Sequence, residues 1–150
     1  MKKKITIIDY GAGNILSVSR AFNECNASVE IQSDPKKIKN ASFLVLPGDG
    51  SFSYASNRLK KTNIFEILKK HFEKGNPLLG ICLGMQMLLS KSEEFGNNIG
   101  LSIIKGKIIH LCGPKTRMKA KTQTKSLRKK LTVKTYACYS FKVVRGLIFS

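Results

Sequence analysis

The most constraining stretch of this chain is Gly80-Ile81-Cys82-Leu83-Gly84. It lies where the apolar run PLLGI at 77–81 gives way to LGMQMLLSKS at 83–92, which reads as a helix. A cysteine with glycine two positions before and two positions after, between a strand and a helix, is the pattern of a nucleophile elbow. The bend is so tight that its central residue takes a strained backbone conformation, and a side chain at either flanking position would strike the neighbouring chain. Such a bend needs a sheet edge to project from and a helix packed behind it. The amino end of that helix favours the thiolate form of the sulfur. Cys82 is therefore the candidate catalytic nucleophile.

The residues before the elbow supply such a sheet. KITIID at 4–9 reads as a buried first strand, followed by the turn Gly11-Ala12-Gly13. Asn14 can cap the next helix, whose apolar positions Ile15, Val18, Phe22 and Cys25 recur at helical spacing. SVEIQ at 28–32 reads as a second strand, Ser33-Asp34-Pro35 as a turn, and the residues up to Asn40 as a short polar helix or loop. SFLVLP forms the third strand, closed by Pro47-Gly48-Asp49-Gly50, and two helical pieces follow at 51–61 and 63–74. Strands alternating with helices predict an α/β fold: an open, mainly parallel sheet with flanking helices and right-handed crossovers. After Gly96 the period changes, and LSIIKG and KIIHL read as two short strands meeting in a hairpin at Gly106.

Charge separates the chain into two parts. All nine acidic residues lie at or before Glu94, whereas 13 of the 27 basic residues lie beyond it. The segment GPKTRMKAKTQTKSLRKK has neither apolar period, so residues 1–112 read as the α/β domain and 113–150 as a basic, divergent tail. The tail has the composition of an unfolded polycation or of a shifted reading frame. It carries almost no interleaved aromatics, so it predicts non-specific phosphate attraction at most and no specific nucleic-acid partner. The apolar runs are too short to cross a membrane and no cleavable leader is evident, which predicts a cytoplasmic protein. Four scattered cysteines without a CxxC pair, and only His71 and His110, argue against a metal centre. Cys25, Cys112 and Cys138 read as reduced, half-buried small hydrophobes, and both histidines as surface residues. Gly11-Ala12-Gly13-Asn14 is not a dinucleotide fingerprint, because Leu16 stands where glycine is required and Gln32 where an acidic residue would be.

Acyl transfer at Cys82 also needs donors for the oxyanion. The amide of Leu83 is one, and the turn Pro47-Gly48-Asp49-Gly50 is placed to offer a second. IDYGAGN at 8–14, LPGDGSF at 46–52 and PLLGICLGMQMLL at 77–89 together resemble the landmarks of class I glutamine amidotransferases. More narrowly, they resemble the glutaminase subunits of imidazole glycerol phosphate synthases, which act in histidine biosynthesis. The likeness covers about residues 4–111 and includes SEEFGNNIGLSIIKGKI at 92–108. It implies that Cys82 attacks the side-chain amide of glutamine, forming a thioester as ammonia leaves. It implies oxyanion donors at Asp49 and Leu83, and substrate contacts at Gly48, Gly50 and Gln86, with no cofactor and no metal. The ammonia would pass to a cyclase partner in a heterodimer, and the 11–14 loop would face that partner. The family commonly has an apolar residue where this chain has Asp49; a backbone donor tolerates the change if the carboxylate points away.

The resemblance also implies a histidine and a glutamate in a His-Pro-Glu stretch some ninety residues beyond the elbow, and a Pro-His-x-Gly-Trp-Asn stretch soon after 111. The chain has no tryptophan, and neither histidine opens a His-Pro-Glu stretch: His71 lies before the elbow and is followed by Phe72-Glu73, and His110 is followed by Leu111-Cys112. The expectation is a fold incomplete at its carboxyl end with impaired glutaminase activity. The alternatives are a non-catalytic cyclase-binding or non-functional fragment, and a class I amidotransferase serving another synthase.

Overall fold

The computed structural model describes residues 2–109. His110, Cys112, Cys138 and the basic tail lie outside the described residues. Seven strands and five helices follow in order: β1 (Lys4–Ile8), α1 (Ile15–Glu24), β2 (Ser28–Gln32), α2 (Pro35–Lys39), β3 (Leu44–Leu46) and α3 (Phe52–Lys61). Then come α4 (Ile64–Glu73), β4 (Leu78–Gly80), α5 (Leu83–Met87), β5 (Leu89–Ser92), β6 (Asn98–Ile99) and β7 (Ile104–Ile108). The first four strands form one parallel sheet in the order β2-β1-β3-β4. The chain reverses its winding between β1 and β3, so the loops leaving those two strands part at the carboxyl edge; ligands bind there in open α/β sheets.

Local signals set the elements. The Asn14 side chain accepts the Ser17 amide and opens α1, Asp34 accepts the Lys36 amide ahead of Pro35 in α2, and Ser51 accepts the Tyr54 amide at α3. The central strands are apolar on both faces, as strands covered on both sides must be. On one face, Ile8, Leu44 and Leu46 pack with Phe52, Leu59, Ile64, Leu68 and Met87 in the main core. On the other, Ile5, Ile7 and Val45 meet the half-buried Ile15, Val18 and Phe22 of α1.

Two expectations past the elbow fail. The helix expected to run to residue 92 stops at Met87, and Leu89–Ser92 becomes β5. The Leu101 amide donates to the Met87 carbonyl and the Ile104 amide to the Leu88 carbonyl, so pairing with a later segment captures what helical spacing predicted. Gly100 permits that approach, since a Cβ there would collide with the Leu89 carbonyl oxygen. The hairpin at Gly106 is absent too. Residues 104–108 form the single strand β7, parallel to β5, in a separate three-stranded sheet ordered β6-β5-β7.

Candidate active site

Cys82 lies between β4 and α5 with φ 54° and ψ −118°, outside the conformations an L-residue ordinarily adopts. Backbone strain of this kind costs on the order of 1–3 kcal/mol and persists only where the surroundings enforce it. They do so by crowding. A Cβ on Gly80 would stand 2.6 Å from the Met85 Cα and 2.7 Å from the Gly84 carbonyl oxygen. A Cβ on Gly84 would fall on the Leu46 carbonyl oxygen of β3. These obstacles are backbone and cannot swing aside. The Ile81 amide donates to Leu46 O at 3.0 Å, and the Met85 and Gln86 amides donate to Cys82 O at 3.0 and 3.2 Å. The bend thus holds Cys82 exposed at the sheet edge, while Leu83, Gly84 and Met85 are buried behind it.

The turn after β3 rests directly on this elbow. A Cβ on Gly48 would lie 2.8 Å from the Gly84 nitrogen, 2.8 Å from Tyr10 Oη and 3.0 Å from Leu83 Cβ. Gly50 has φ 78°, which suits glycine, and open space around it. Among the described residues, the amides of Asp49 and Leu83 donate to no backbone or side-chain acceptor. Two amides without acceptors on adjoining turns make Asp49 and Leu83 the candidate oxyanion donors. Gln86 is half-buried one helical turn beyond Cys82.

Two residues that sequence reasoning passed over, Tyr10 and Arg58, organise this edge together with the Asp49 carboxylate. Tyr10 is buried, and its hydroxyl donates to the Pro47 carbonyl at 3.0 Å. Burial, and then the charges of Asp49 and Cys82, push the phenol well above its ordinary range, so it stays a donor. The Asp49 carboxylate accepts the Gly13 amide at 3.0 Å, which ties the third-strand turn to the loop after β1. Arg58 Nε donates to the Tyr10 carbonyl at 3.1 Å and braces that loop from α3. A tyrosine after Ile8-Asp9 was the only sequence signal of this network.

The described histidine is not part of the site. His71 is 3% exposed, correcting its reading as a surface residue. Its Nε2 lies 2.9 Å from the Pro77 carbonyl at the start of β4. Cys82 lies at the other end of that strand, five residues on and roughly 16 Å away at strand rise. Burial, then the nearby Lys74 charge, hold the His71 pKa below its usual value, while the bond to Pro77 opposes them. Cys25, expected half-buried, is exposed at the end of α1. Among the described residues, no helix is long and apolar enough to cross a membrane.

The parallel sheet, the strained cysteine and the adjoining amide turn fit the family model of class-I glutamine amidotransferases, which matches residues 6–147, and the chain belongs to that family. Within it, similar proteins include the imidazole glycerol phosphate synthase subunit HisH 1 of Legionella pneumophila (strain Lens). That protein is 50% identical over 105 residues, covering 70% of this chain and 49% of its own length. The HisH subunit of Caldanaerobacter subterraneus subsp. tengcongensis is 50% identical over 107 residues, covering 71% and 53%. The chain thus spans about half the length of the curated relatives it matches. A solved glutamine amidotransferase superposes with TM-score 0.62 at 15% identity, over 73% of this chain and 59% of that one, and shares its fold.

Proposed function

We propose that residues 1–109 form the nucleophile-bearing part of a glutaminase subunit serving imidazole glycerol phosphate synthesis. The observation that carries this reading is the strained, exposed Cys82 beside the unengaged amides of Asp49 and Leu83. The Cys82 sulfur attacks the side-chain carbonyl of glutamine, and the two amides receive the oxyanion. Once a proton reaches the amide nitrogen, collapse of that intermediate breaks the C–N bond, forms the thioester and releases ammonia. Gly48 lets the turn rest on the elbow at the edge of the substrate site, Gly50 leaves room for the substrate, and Gln86 binds it. A cyclase partner docks on the edge bearing the 11–14 loop and takes up the ammonia in a heterodimer. The identity to HisH subunits supports this over other class I amidotransferases.

Water must then cleave the thioester, and both this step and the departure of ammonia need a proton-transfer group near the sulfur. His71 is at the wrong end of β4 to serve. With no such group among the described residues, the chain by itself is proposed to form little thioester and to turn over little glutamine. A glutaminase assay with Cys82→Ala as control tests this: ammonia release near the level of the variant is expected. Rapid steady turnover by the unaltered chain, lost in Cys82→Ala, would contradict it and place a working acid/base group within 110–150.

A further inference from the structure

We infer that the Asp49 side chain is a positioning group for the oxyanion turn, acting through the Gly13 amide; this rests on the glutaminase reading above. A carboxylate beside a reacting sulfur opposes both thiolate and oxyanion, so a free Asp49 would impair the site. The structure resolves the conflict geometrically. The carboxylate is turned to the loop after β1, where it accepts the Gly13 N–H at 3.0 Å, while the amide of the same residue has no acceptor among the described residues. The side chain is thus committed to Gly13, while the amide is left free. Gly13 itself is pressed on the turn: its φ is 99°, and a Cβ there would lie 3.0 Å from the Gly48 nitrogen and 3.1 Å from Pro47 Cβ. The loop is braced in turn by the Tyr54 hydroxyl, which donates to the Gly11 carbonyl at 3.3 Å, and by Arg58 on Tyr10. With Tyr10 holding Pro47, the turn is fixed at two successive points, 47 and 49, and the peptide between them has little freedom to rotate its amide out of place.

The test compares Asp49→Ala and Asp49→Asn with the unaltered full chain. Cys82 is alkylated by the chloroketone analogue of glutamine, whose carbonyl oxygen needs the oxyanion turn, and separately by iodoacetamide, which reports thiol reactivity alone. The sulfur displaces chloride or iodide, so no other reactant is needed. The ratio of the two rates cancels any general loss of folding or thiol reactivity. Asp49→Ala is expected to lower the ratio about tenfold, part of the effect of removing one oxyanion donor. Asp49→Asn keeps an oxygen acceptor for Gly13 and is expected to stay within about twofold. An unchanged ratio in Asp49→Ala would overturn the inference. So would an equal fall in Asp49→Asn, since charge rather than the tie would then be responsible. If the unaltered chain prefers the glutamine analogue no more than chloroacetone, the glutaminase reading fails, and the inference with it.

Discussion

The elbow at 80–84 and the turn at 47–50 lie against each other at one sheet edge, yet they keep their shapes by different means. The elbow is shaped by main chain alone: Gly80 and Gly84 face backbone atoms of Met85 and Leu46 that cannot retreat. The other turn has open space at Gly50 and is held by two side-chain groups, the Tyr10 hydroxyl and the Asp49 carboxylate. The proposed nucleophile thus stands in a rigid bend beside a turn whose placement depends on individual hydrogen bonds. Substitutions at Gly80 and Gly84 should damage the fold, and those at Asp49 and Tyr10 should mainly damage reactivity.

The largest effect is expected at Gly84. Replacing it with alanine forces β3 and α5 apart and should cost about 3 kcal/mol or more in urea denaturation. A variant as stable as the parent would break the distinction between the turns. Tyr10→Phe leaves the buried Pro47 carbonyl without its donor and should cost about 1–2 kcal/mol, with the alkylation ratio at Cys82 falling as well. Loss of stability without loss of the ratio would mean that Tyr10 does not place the turn. Gly50→Ala meets no atom within 4 Å and should pay only the left-handed backbone penalty, about 1 kcal/mol. A cost equal to that of Gly84→Ala would show that the second turn is as crowded as the first.

The smallest effect concerns the far end of β4. Burial lowers the His71 pKa in the folded chain, so the unfolded chain binds its proton more readily. The stability linked to His71 is fully present above the ordinary histidine value near 6.5 and declines as pH falls below it. His71→Gln should flatten that decline in thermal melts between neutral and mildly acidic pH while leaving Cys82 alkylation unaltered. A decline equally steep in the variant would remove His71 as its source.

The same contrast explains what the sequence revealed. The elbow was legible because crowding by backbone demands glycine at set spacings, whatever surrounds it. β2 was legible to the residue, and the helices over 52–61 and 64–73 nearly so, because caps and apolar spacing are local. The ties of Tyr10 to Pro47 and Asp49 to Gly13 span 37 and 36 residues, and no local pattern announces them. The stop of α5 at Met87 was hidden for the same reason, since a segment more than ten residues later captures its carbonyl groups. Burial of His71 followed from how α4 packs at the start of β4, which helical spacing alone does not specify.

For Cys82 as the proposed glutamine-directed nucleophile, Cys25, equally free and exposed, provides the internal control. Peptide mass spectrometry after limited treatment with the chloroketone analogue of glutamine tests that role most directly. One adduct per chain is expected, on Cys82, suppressed by excess glutamine, with Cys25 left largely unmodified. Equal labelling of Cys25 and Cys82, or labelling of Cys82 that glutamine does not slow, would contradict it.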